Sequence, residues 1–383
     1  MATPADRRRS GQLTCESVQA WSDEDYAHAT GLLRILDEKG QAEPNAIPKL
    51  VPGDWVRIYE GMLTSRLLDK HLLPLQRQGR ISHYFEARGQ EAGPIAGAHV
   101  LEKSDYFVQG LREGAAALYR GLPMGKYVAQ ILGTTSDAGR GRQMPCHVSS
   151  AAVRHVSTSS CVASQIPHAT GLAMGAKISG DKNVVLCFFG DGATSEDDFH
   201  AGLNFAAVYR APVVFVCQNN QWAISTPVAG QTESETLAIK GLAYGIPSMR
   251  VDGNDVFAML ATIRDAVDRA RDRGGPTFIE ALTYRLGAHS SADDPTHYRD
   301  GREQDAWQAR DPLVRFGHWL DTTKTLTADV QEAASRRISA QIRAAIAAEE
   351  AAGPPASSTL FDDVYARPTW HLDEQKAELL KPR

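Results

Sequence analysis

Residues 183–220, "NVVLCFFGDGATSEDDFHAGLNFAAVYRAPVVFVCQNN", decide the fold. Two apolar runs of strand length are separated there by a segment whose apolar residues have helical spacing. Strands that are apolar throughout are buried on both faces, which is typical of a parallel sheet covered by helices. The first run ends at Asp191, between two glycines, and the second ends at Asn219 and Asn220. Because ligands of such sheets bind at the carboxyl ends of the strands, this stretch predicts a binding site as well as a fold.

The same alternation continues along the chain and gives the predicted fold class, an α/β protein with a parallel sheet flanked by helices. Helical patterns occupy residues 52–79, 166–180, 195–210, 233–245 and 255–274. Further strands are predicted at residues 247–253 and 276–287.

We expect three segments in the chain. Residues 1–50 are polar and contain prolines, so they should form an extended N-terminal arm with little core of its own. Residues 51–330 should form the α/β domain, and residues 331–383 should form a C-terminal helical tail. Residues 134–165 are rich in glycine, serine and threonine, and a loop of that length implies a functional loop or a lid.

The composition argues against several classes of function. The 383 residues are 43% hydrophobic, which is enough for a large core. Lysine and arginine total 41 against 46 acidic residues, so the net charge of -5 provides no basic field for nucleic acid, and we interpret "DRRRS" at 6–10 as a solvated arm. No apolar run reaches the roughly 18 residues of a membrane span, and the first residues lack the apolar core of a signal peptide. We therefore expect a cytoplasmic protein without nucleic-acid or membrane partners.

The five cysteines indicate neither a disulfide framework nor a zinc site. They are odd in number and have no CxxC spacing, and two of them lie inside strand-like runs. We expect reduced, mostly buried thiols at Cys15, Cys146, Cys161, Cys187 and Cys217.

The polar residues after the two strands suggest a magnesium and diphosphate site. Carboxylate and carboxamide oxygens are ligands that magnesium prefers, and it leaves its other positions to water and phosphate oxygens. Glycines at 190 and 192 allow close approach of the backbone, and a helix starting near Ser195 would point free amide groups at the same place. The alternative is that Asp191 only caps this helix and the asparagines only form a turn.

Twenty-six residues, 193–218, separate "GDG" from "NN", and this interval matches the thiamine-diphosphate motif. With it, the chain resembles the alpha subunits of the decarboxylating dehydrogenase component of 2-oxo acid dehydrogenase complexes, branched-chain type, with the pyruvate type as a near relative. The resemblance extends from about residue 52 to "LFDDVYARPTWHL", and the first 50 residues match least. Its other motifs are "GQEA" at 89–92, "GRGRQMP" at 139–145, "SQIPHATGLAMG" at 164–175, "VDGNDVFA" at 251–258, "YRLGAHSSADDPTHYR" at 284–299 and "RDPLVRF" at 310–316.

The resemblance implies a set of site residues. Asp191, Asn220 and the backbone carbonyl of Trp222 would ligate Mg2+. The thiamine-diphosphate contacts would come from Arg112, Ser160, Val162, Asp191, Gly192, Ala193, Gln218, Asn220, Ile224 and His289. A possible K+ loop would use Ser159, Cys161, Ser164 and Gln165.

His289 is the predicted catalytic residue. Histidine changes protonation near neutral pH, and the strand at 276–287 would deliver this one to the strand ends, where it would contact the diphosphate and assist acyl transfer. The alternative is a histidine solvated in a polar loop. His147 is a second candidate, against a structural role, whereas His83, His155, His168 and His297 are interpreted as core or surface residues.

Three positions depart from the family pattern and leave the substrate open. Leu111 stands where members commonly have tyrosine, and His83 stands where many branched-chain members have phenylalanine, so the resemblance implies that two positions lining the acyl pocket differ. Gln218 stands where animal members have an arginine that contacts the phosphate, and it cannot supply that charge. The loop with Ser290 and Ser291 matches a segment that animal relatives control by phosphorylation.

The reaction implied is oxidative decarboxylation of branched-chain 2-oxo acids, with acyl transfer to a lipoyl group on a partner acyltransferase. A beta subunit in an alpha2-beta2 assembly would supply the glutamate for the aminopyrimidine ring, because Glu86 and Glu91 are poorly placed. The alternatives are a pyruvate dehydrogenase alpha subunit and a cofactor-binding subunit that has lost turnover. A nicotinamide enzyme is disfavoured because no GxGxxG follows a strand and opens a helix.

Overall fold

The structure, a computed structural model, describes residues 22–381, so the basic cluster at 6–10 and Cys15 lie outside the described residues. The helices are α1 Asp23–Thr30, α2 Pro52–Arg77, α3 Ala92–Val100, α4 Ala115–Tyr119, α5 Met124–Leu132, α6 Gln165–Ser179, α7 Asp197–Tyr209, α8 Ile239–Leu242, α9 Val256–Arg271, α10 Gly301–Gln308, α11 Pro312–Thr322, α12 Ala328–Ala352 and α13 Trp370–Leu379. The strands are β1 Tyr106–Val108, β2 His155–Val156, β3 Val185–Gly190, β4 Val213–Asn219, β5 Trp222–Ala223, β6 Thr226–Pro227, β7 Ser248–Asp252 and β8 Thr277–Leu282.

Six strands form one parallel sheet in the order β2-β1-β3-β4-β8-β7. The fold class predicted from the sequence is confirmed. In the centre, β3 pairs with β4 in a register that places Gly190 opposite Gln218. Asp191 and Asn220 therefore follow neighbouring strands at the same edge of the sheet.

Side chains alternate between two cores, one on each face of the sheet. Leu186 and Phe188 of β3 pack into the core formed with α2, α3, α9 and α12. Cys187 and Phe189 of the same strand point the other way, into the core formed with α6 and α7. This two-sided burial is why the strand sequences are apolar throughout rather than alternating.

Four local expectations were wrong. Asp23–Thr30 is helical rather than extended, because Ser22 and Asp25 form a capping box. Only Ile239–Leu242 is α-helical within residues 233–245. Residues 191–195 form a 3-10 turn, so α7 begins at Asp197 rather than near Ser195. The strand predicted at 276–287 ends at Leu282.

The arm also has more tertiary contacts than expected. Leu33 bridges Val251 at the edge of the sheet, and the backbone amides of Ile35 and Leu36 donate to the buried Asp255 carboxylate at 2.6 and 2.7 Å. These donors compensate a charge that would otherwise be costly to bury. Earlier in the arm, Ala29 of α1 packs against Ala238 and Leu242, and its carbonyl accepts from the Thr236 hydroxyl at 2.8 Å. The arm is therefore attached to the domain through α1 as well as through residues 33–36.

Two helices, α12 and α13, lie in the C-terminal segment, and α12 packs against α2 and α5. Ile338, Ile342 and Ile346 of α12 belong to the larger core, and Thr134 donates to Glu349 at 2.7 Å. We propose that α12 is one unit with the α/β domain, whereas the other domain boundaries stay predictions. Within residues 22–381, no helix is long and apolar enough to cross a membrane.

Gly202 is expected to be intolerant of a side chain. A Cβ there would lie 2.7 Å from Ile166 Cγ2 and 3.1 Å from the Pro167 nitrogen, where α7 crosses α6. We expect Gly202→Ala to reduce the free energy of unfolding by about 1–3 kcal/mol, because the helices must separate. Gly301→Ala, which meets nothing within 4 Å at the exposed start of α10, should leave the thermal midpoint nearly unchanged. Equal midpoints for the two variants would contradict this account of the contact.

Candidate cofactor and metal site

One pocket of about 760 Å3, partly open to solvent, lies at the carboxyl edge of the central strands. It is lined by all the residues predicted for thiamine diphosphate and Mg2+: Arg112, Ser160, Val162, Asp191, Gly192, Ala193, Gln218, Asn220, Trp222, Ile224 and His289. These residues come from five separate regions of the chain, and the parallel topology brings them together. That they share a pocket does not assign their roles, which stay predictions. Of the predicted K+ loop, Ser159, Cys161 and Gln165 line the pocket and Ser164 does not.

Asp191 carries the carboxylate at the centre of the pocket. It is buried, and burial raises the pKa of its carboxyl group above the usual range. One oxygen accepts a hydrogen bond from Gln231 at 2.9 Å. Backbone amides of Asp191 and Asn220 and the charge of Arg285 also favour the charged form, but burial outweighs them. A buried carboxylate that is only partly compensated is suited to a bound cation.

Asn220 and Trp222 lie beside Asp191 and offer oxygen donors. The Asn220 carboxamide donates to Gln90 at 3.0 Å, which leaves its oxygen directed at the Trp222 backbone amide, 3.2 Å away. One carboxylate, one carboxamide and one carbonyl are donors of the type that Mg2+ takes. Among residues 22–381, no cluster of three or more histidine, cysteine or acidic side chains offers a transition-metal site instead.

Arg285 fixes the turn that carries this carbonyl. Its guanidinium donates to the Trp222 carbonyl at 3.0 Å and to the Ile224 carbonyl at 2.7 Å. Ile224 has a φ of 55°, which is strained for a β-branched residue. The carbonyl of Trp222 has a second lone pair, so the bond from Arg285 does not prevent it from binding a metal.

The glycine at 192 is required by the same turn. A Cβ on Gly192 would lie 2.8 Å from the Ala223 Cβ. The 3-10 turn at 191–195 can therefore approach β5 only because position 192 has no side chain. This close approach places Asp191 and Trp222 on the same side of the pocket.

Arg112 brings a cation to the pocket wall. Its guanidinium donates to the backbone carbonyls of Glu86 and His289, at 2.5 and 2.7 Å. Burial, and to a smaller extent the neighbouring Arg285, lower the pKa of Arg112 to about 10, so it remains charged at neutral pH. The two arginines give the pocket a positive wall suited to an anionic group.

His289 lies seven residues beyond the end of β8, so the loop and not the strand positions it. Its backbone amide donates to Asp293 at 2.8 Å, and Asp293 accepts from the Tyr298 hydroxyl, which in turn accepts from Arg285 at 3.0 Å. The imidazole packs edge-on against Phe85, with ring centroids 5.6 Å apart. The loop that carries His289 is thereby tied to the turn at Trp222.

Burial and the two arginines lower the pKa of His289 to about 4. We expect its imidazole in the cofactor-free protein to stay neutral from pH 8 to about 5, which an NMR titration of the ring carbons would measure. The unfolded chain binds this proton near the ordinary pKa of 6.5, so the contribution of His289 to stability falls as pH drops from about 6.5 to 4. The variant His289→Gln should lose less stability over that window than the wild type. An NMR titration midpoint of the His289 imidazole above pH 6 would contradict the buried, positively charged surroundings of this ring.

The loop before α6 contributes Ser160 and Val162. His147 is buried, and its Nε2 lies 2.8 Å from the Ser160 hydroxyl, so it acts on the pocket through that serine. Cys161 is exposed, unlike the buried Cys187 and Cys217. No disulfide links the four cysteines of the described region.

Two positions were expected to line the acyl pocket. Leu111 does line the pocket. His83 is outside this chain's pocket wall and packs edge-on against Phe85 at 5.1 Å. Only Leu111 is therefore placed to change the shape of the wall directly.

Sequence reasoning missed three polar residues of the site. Arg285 was overlooked because its partners lie about 60 residues away in the chain. Glu113 follows Arg112 directly, and its carboxylate accepts a hydrogen bond from Gln218 at 2.5 Å. Gln90, within "GQEA", holds Asn220. Glu113 could have been identified from the sequence because it directly follows Arg112, a predicted phosphate ligand.

Fold and pocket together define a class of protein, the α/β proteins that bind a ligand at the carboxyl edge of a parallel sheet. Residues 59–358 match the family described as the dehydrogenase E1 component. The chain belongs to this family. Membership implies thiamine diphosphate as the cofactor.

Named relatives extend the comparison over most of the chain. The chain is similar to 2-oxoisovalerate dehydrogenase subunit alpha 2, mitochondrial, of Arabidopsis thaliana, with 41% identity across 90% of this chain and 73% of the relative. It is 38% identical to the Homo sapiens alpha subunit across 91% and 79% of the two chains. It is 36% identical to the Dictyostelium discoideum alpha subunit across 94% and 82%.

Proposed function

We propose that this chain is the alpha subunit of a thiamine-diphosphate enzyme that oxidatively decarboxylates branched-chain 2-oxo acids and transfers the acyl group to a lipoyl group on a partner acyltransferase. The observation that carries the proposal is the single pocket in which the oxygen donors and the two arginines meet. Family membership and relatives named as 2-oxoisovalerate dehydrogenases support the same conclusion.

The donors fit magnesium with a diphosphate. Asp191, Asn220 and the Trp222 carbonyl would hold the ion, and Arg112 would bind the phosphate with the amides of Gly192 and Ala193. Thiamine diphosphate supplies the electron sink for decarboxylation when it is bound. The residues of this chain bind and orient it. K+ near Ser159 and Gln165 stays a prediction.

His289 is proposed as the residue of this chain that manages protons near the diphosphate. The structure holds its ring at the pocket wall between Phe85 and Arg112. With its pKa lowered to about 4, the imidazole is neutral at pH 7, so it can accept a proton or donate its single N–H. An anionic group bound nearby would raise this pKa and bring it closer to neutrality.

A beta subunit is proposed to complete the site. Among the described residues, the acids of the pocket wall are Asp191 and Glu113, and both are engaged in the diphosphate half of the site. Glu91 is buried in an ion pair with Arg66, at 2.5 Å, and is not available for catalysis. The glutamate that acts on the aminopyrimidine ring would therefore come from the partner, in an alpha2-beta2 assembly.

The face of α6 and α7 is the proposed contact with that subunit. Gly171 and Gly175 of α6 have nothing within 4 Å of the position that a Cβ would occupy. Beside them, Ile178 is 84% exposed and Val208 is 67% exposed. Exposed apolar residues next to glycines suit close packing against another chain.

Pyruvate is the alternative substrate, because Leu111 lines the pocket where members of the family commonly have tyrosine. Relatives named as 2-oxoisovalerate dehydrogenases support the branched-chain acids over it. Regulation at Ser290 or Ser291 stays a prediction. A cytoplasmic location also stays a prediction, since the names of the relatives describe them as mitochondrial.

The test is turnover by this chain co-expressed with its beta partner, with thiamine diphosphate, magnesium and an artificial electron acceptor. 3-Methyl-2-oxobutanoate, 4-methyl-2-oxopentanoate and pyruvate are compared at equal concentration. We expect a higher kcat/KM for the branched acids. A preference for pyruvate would move the assignment to that enzyme, and binding of the cofactor without any turnover would favour a subunit that has lost the reaction.

A further inference from the structure

A second carboxylate, that of Glu113, lies in the wall of the pocket without a cation to neutralise it. Glu113 and Gln218 are each 3% exposed. The Gln218 amide donates to one carboxyl oxygen at 2.5 Å, and the backbone amide of Arg112 donates to the other at 3.1 Å. Glu113 takes part in none of the ion pairs of residues 22–381, which all form within 4.0 Å. The backbone amide of Glu113 also donates to this carboxylate. Neutral donors compensate a buried charge only in part.

Hydrogen bonds from Gln218, Arg112 and the backbone amide of Glu113 itself, together with the charge of Arg112, lower the pKa of Glu113, but burial outweighs them. The neighbour of Glu113 on β4 is the neutral Gln218, and its neighbour on β3 is the buried Cys187. The pKa of the Cys187 thiol is raised mainly by burial and further by the nearby Glu113. Arg112 is the nearest cation, but its guanidinium donates to the carbonyls of Glu86 and His289. Burial is the main cause that raises the pKa of Glu113 above its usual value.

The pocket side adds further charges. Asp191 is anionic when it binds a metal, and Arg285 is directed at the turn of Trp222 and Ile224. A diphosphate in this pocket would bring negative charge to the same wall, which a Mg2+ ion held at Asp191 would offset only in part. An ionised Glu113 would repel the diphosphate, whereas a protonated Glu113 would be a hydrogen-bond donor.

We propose that Glu113 takes up a proton from solvent when the diphosphate binds, so that Glu113 and Gln218 form an uncharged wall of the pocket. The inference rests on the proposed function, because the ligand that drives the uptake is thiamine diphosphate with magnesium. Binding then weakens as pH rises, because the bound state holds the proton to a higher pH than the free state does.

The experiment is calorimetric titration of magnesium and thiamine diphosphate into the assembled alpha and beta subunits. Repeating it near neutral pH in buffers of different ionisation enthalpy gives the number of protons taken up. We expect the wild type to take up more protons than Glu113→Gln, by up to about one. The affinity of the wild type should fall with rising pH more steeply than that of the variant.

Equal proton counts in the two proteins would overturn the inference and leave the proposed function intact. Failure of the wild-type assembly to bind the cofactor would overturn both. If the Glu113→Gln variant does not assemble, the comparison is replaced by an infrared experiment on the wild type. The difference spectrum on cofactor binding is recorded with unlabelled and with 13C-labelled glutamate. A new protonated-carboxyl band that shifts with the label is expected, and its absence would contradict the proton uptake.

Discussion

Replacing Asp191 by alanine is expected to weaken magnesium-dependent binding of thiamine diphosphate by at least about 100-fold. Changes to groups that only orient a metal ligand already cost 10–100-fold in metal affinity, and Asp191 supplies the one carboxylate of the proposed donor set. Turnover of any 2-oxo acid should fall in parallel, because the diphosphate would lose its anchor. The same change should not destabilise the cofactor-free protein. Burial disfavours the charged form of the Asp191 carboxyl group and raises its pKa, so removing this group removes an unfavourable buried charge.

Calorimetry with and without magnesium, together with the thermal midpoint of the cofactor-free assembly, measures both effects. Asp197→Asn is the matched control, since Asp197 is an exposed acid in the first turn of α7, six residues away. Its cofactor affinity should equal that of the wild type. An Asp191→Ala protein that binds the cofactor normally, or that unfolds before it can be tested, would show that this carboxylate has a structural role instead.

Arg112→Gln is expected to reduce cofactor affinity by about 10- to 100-fold, because a hydrogen bond to a charged group contributes roughly 1.5–3 kcal/mol. A second effect should accompany the first. Arg112 also donates to the His289 carbonyl, so its loss should loosen the loop at 287–293. We therefore expect kcat to fall even when the cofactor is saturating, whereas a residue that only binds the phosphate would change affinity alone.

Steady-state kinetics over a range of thiamine diphosphate concentrations separate the two effects. Arg302→Gln is the control, because the Arg302 side chain is 91% exposed and its ion pair is with Asp300, outside the pocket. An Arg112→Gln enzyme with normal kcat at saturation would contradict the coupling between this arginine and the His289 loop. Normal affinity would contradict its place at the phosphate.

The sheet could be predicted from the sequence because its central strands are buried on both faces. An apolar run such as 184–189 has no other stable place in a protein of this composition, and polar residues after it can only lie at the strand end. The prediction of a helix at 233–245 was mostly wrong, because the apolar residues there are buried without forming a continuous helix. Leu237 and Ile246 are buried against the sheet from a mostly irregular chain.

The site was predictable where one motif carries several ligands, as at 190–220. It was not predictable where a residue acts over a long distance in sequence. Arg285 contacts Trp222 and Ile224 only because β8 and β4 are neighbours. Glu113 meets Gln218 from 105 residues away. Such pairs depend on the tertiary arrangement and leave no local pattern in the sequence.

The central claim is that this chain holds the metal and diphosphate half of a thiamine-diphosphate site that a beta subunit completes. The most direct measurement is an experimental structure of the two subunits with thiamine diphosphate and Mn2+ in place of magnesium, located by its anomalous signal. The account predicts the ion on Asp191, Asn220 and the Trp222 carbonyl, with the diphosphate beside Arg112. An ion elsewhere, or a cofactor bound entirely by the beta subunit, would contradict it.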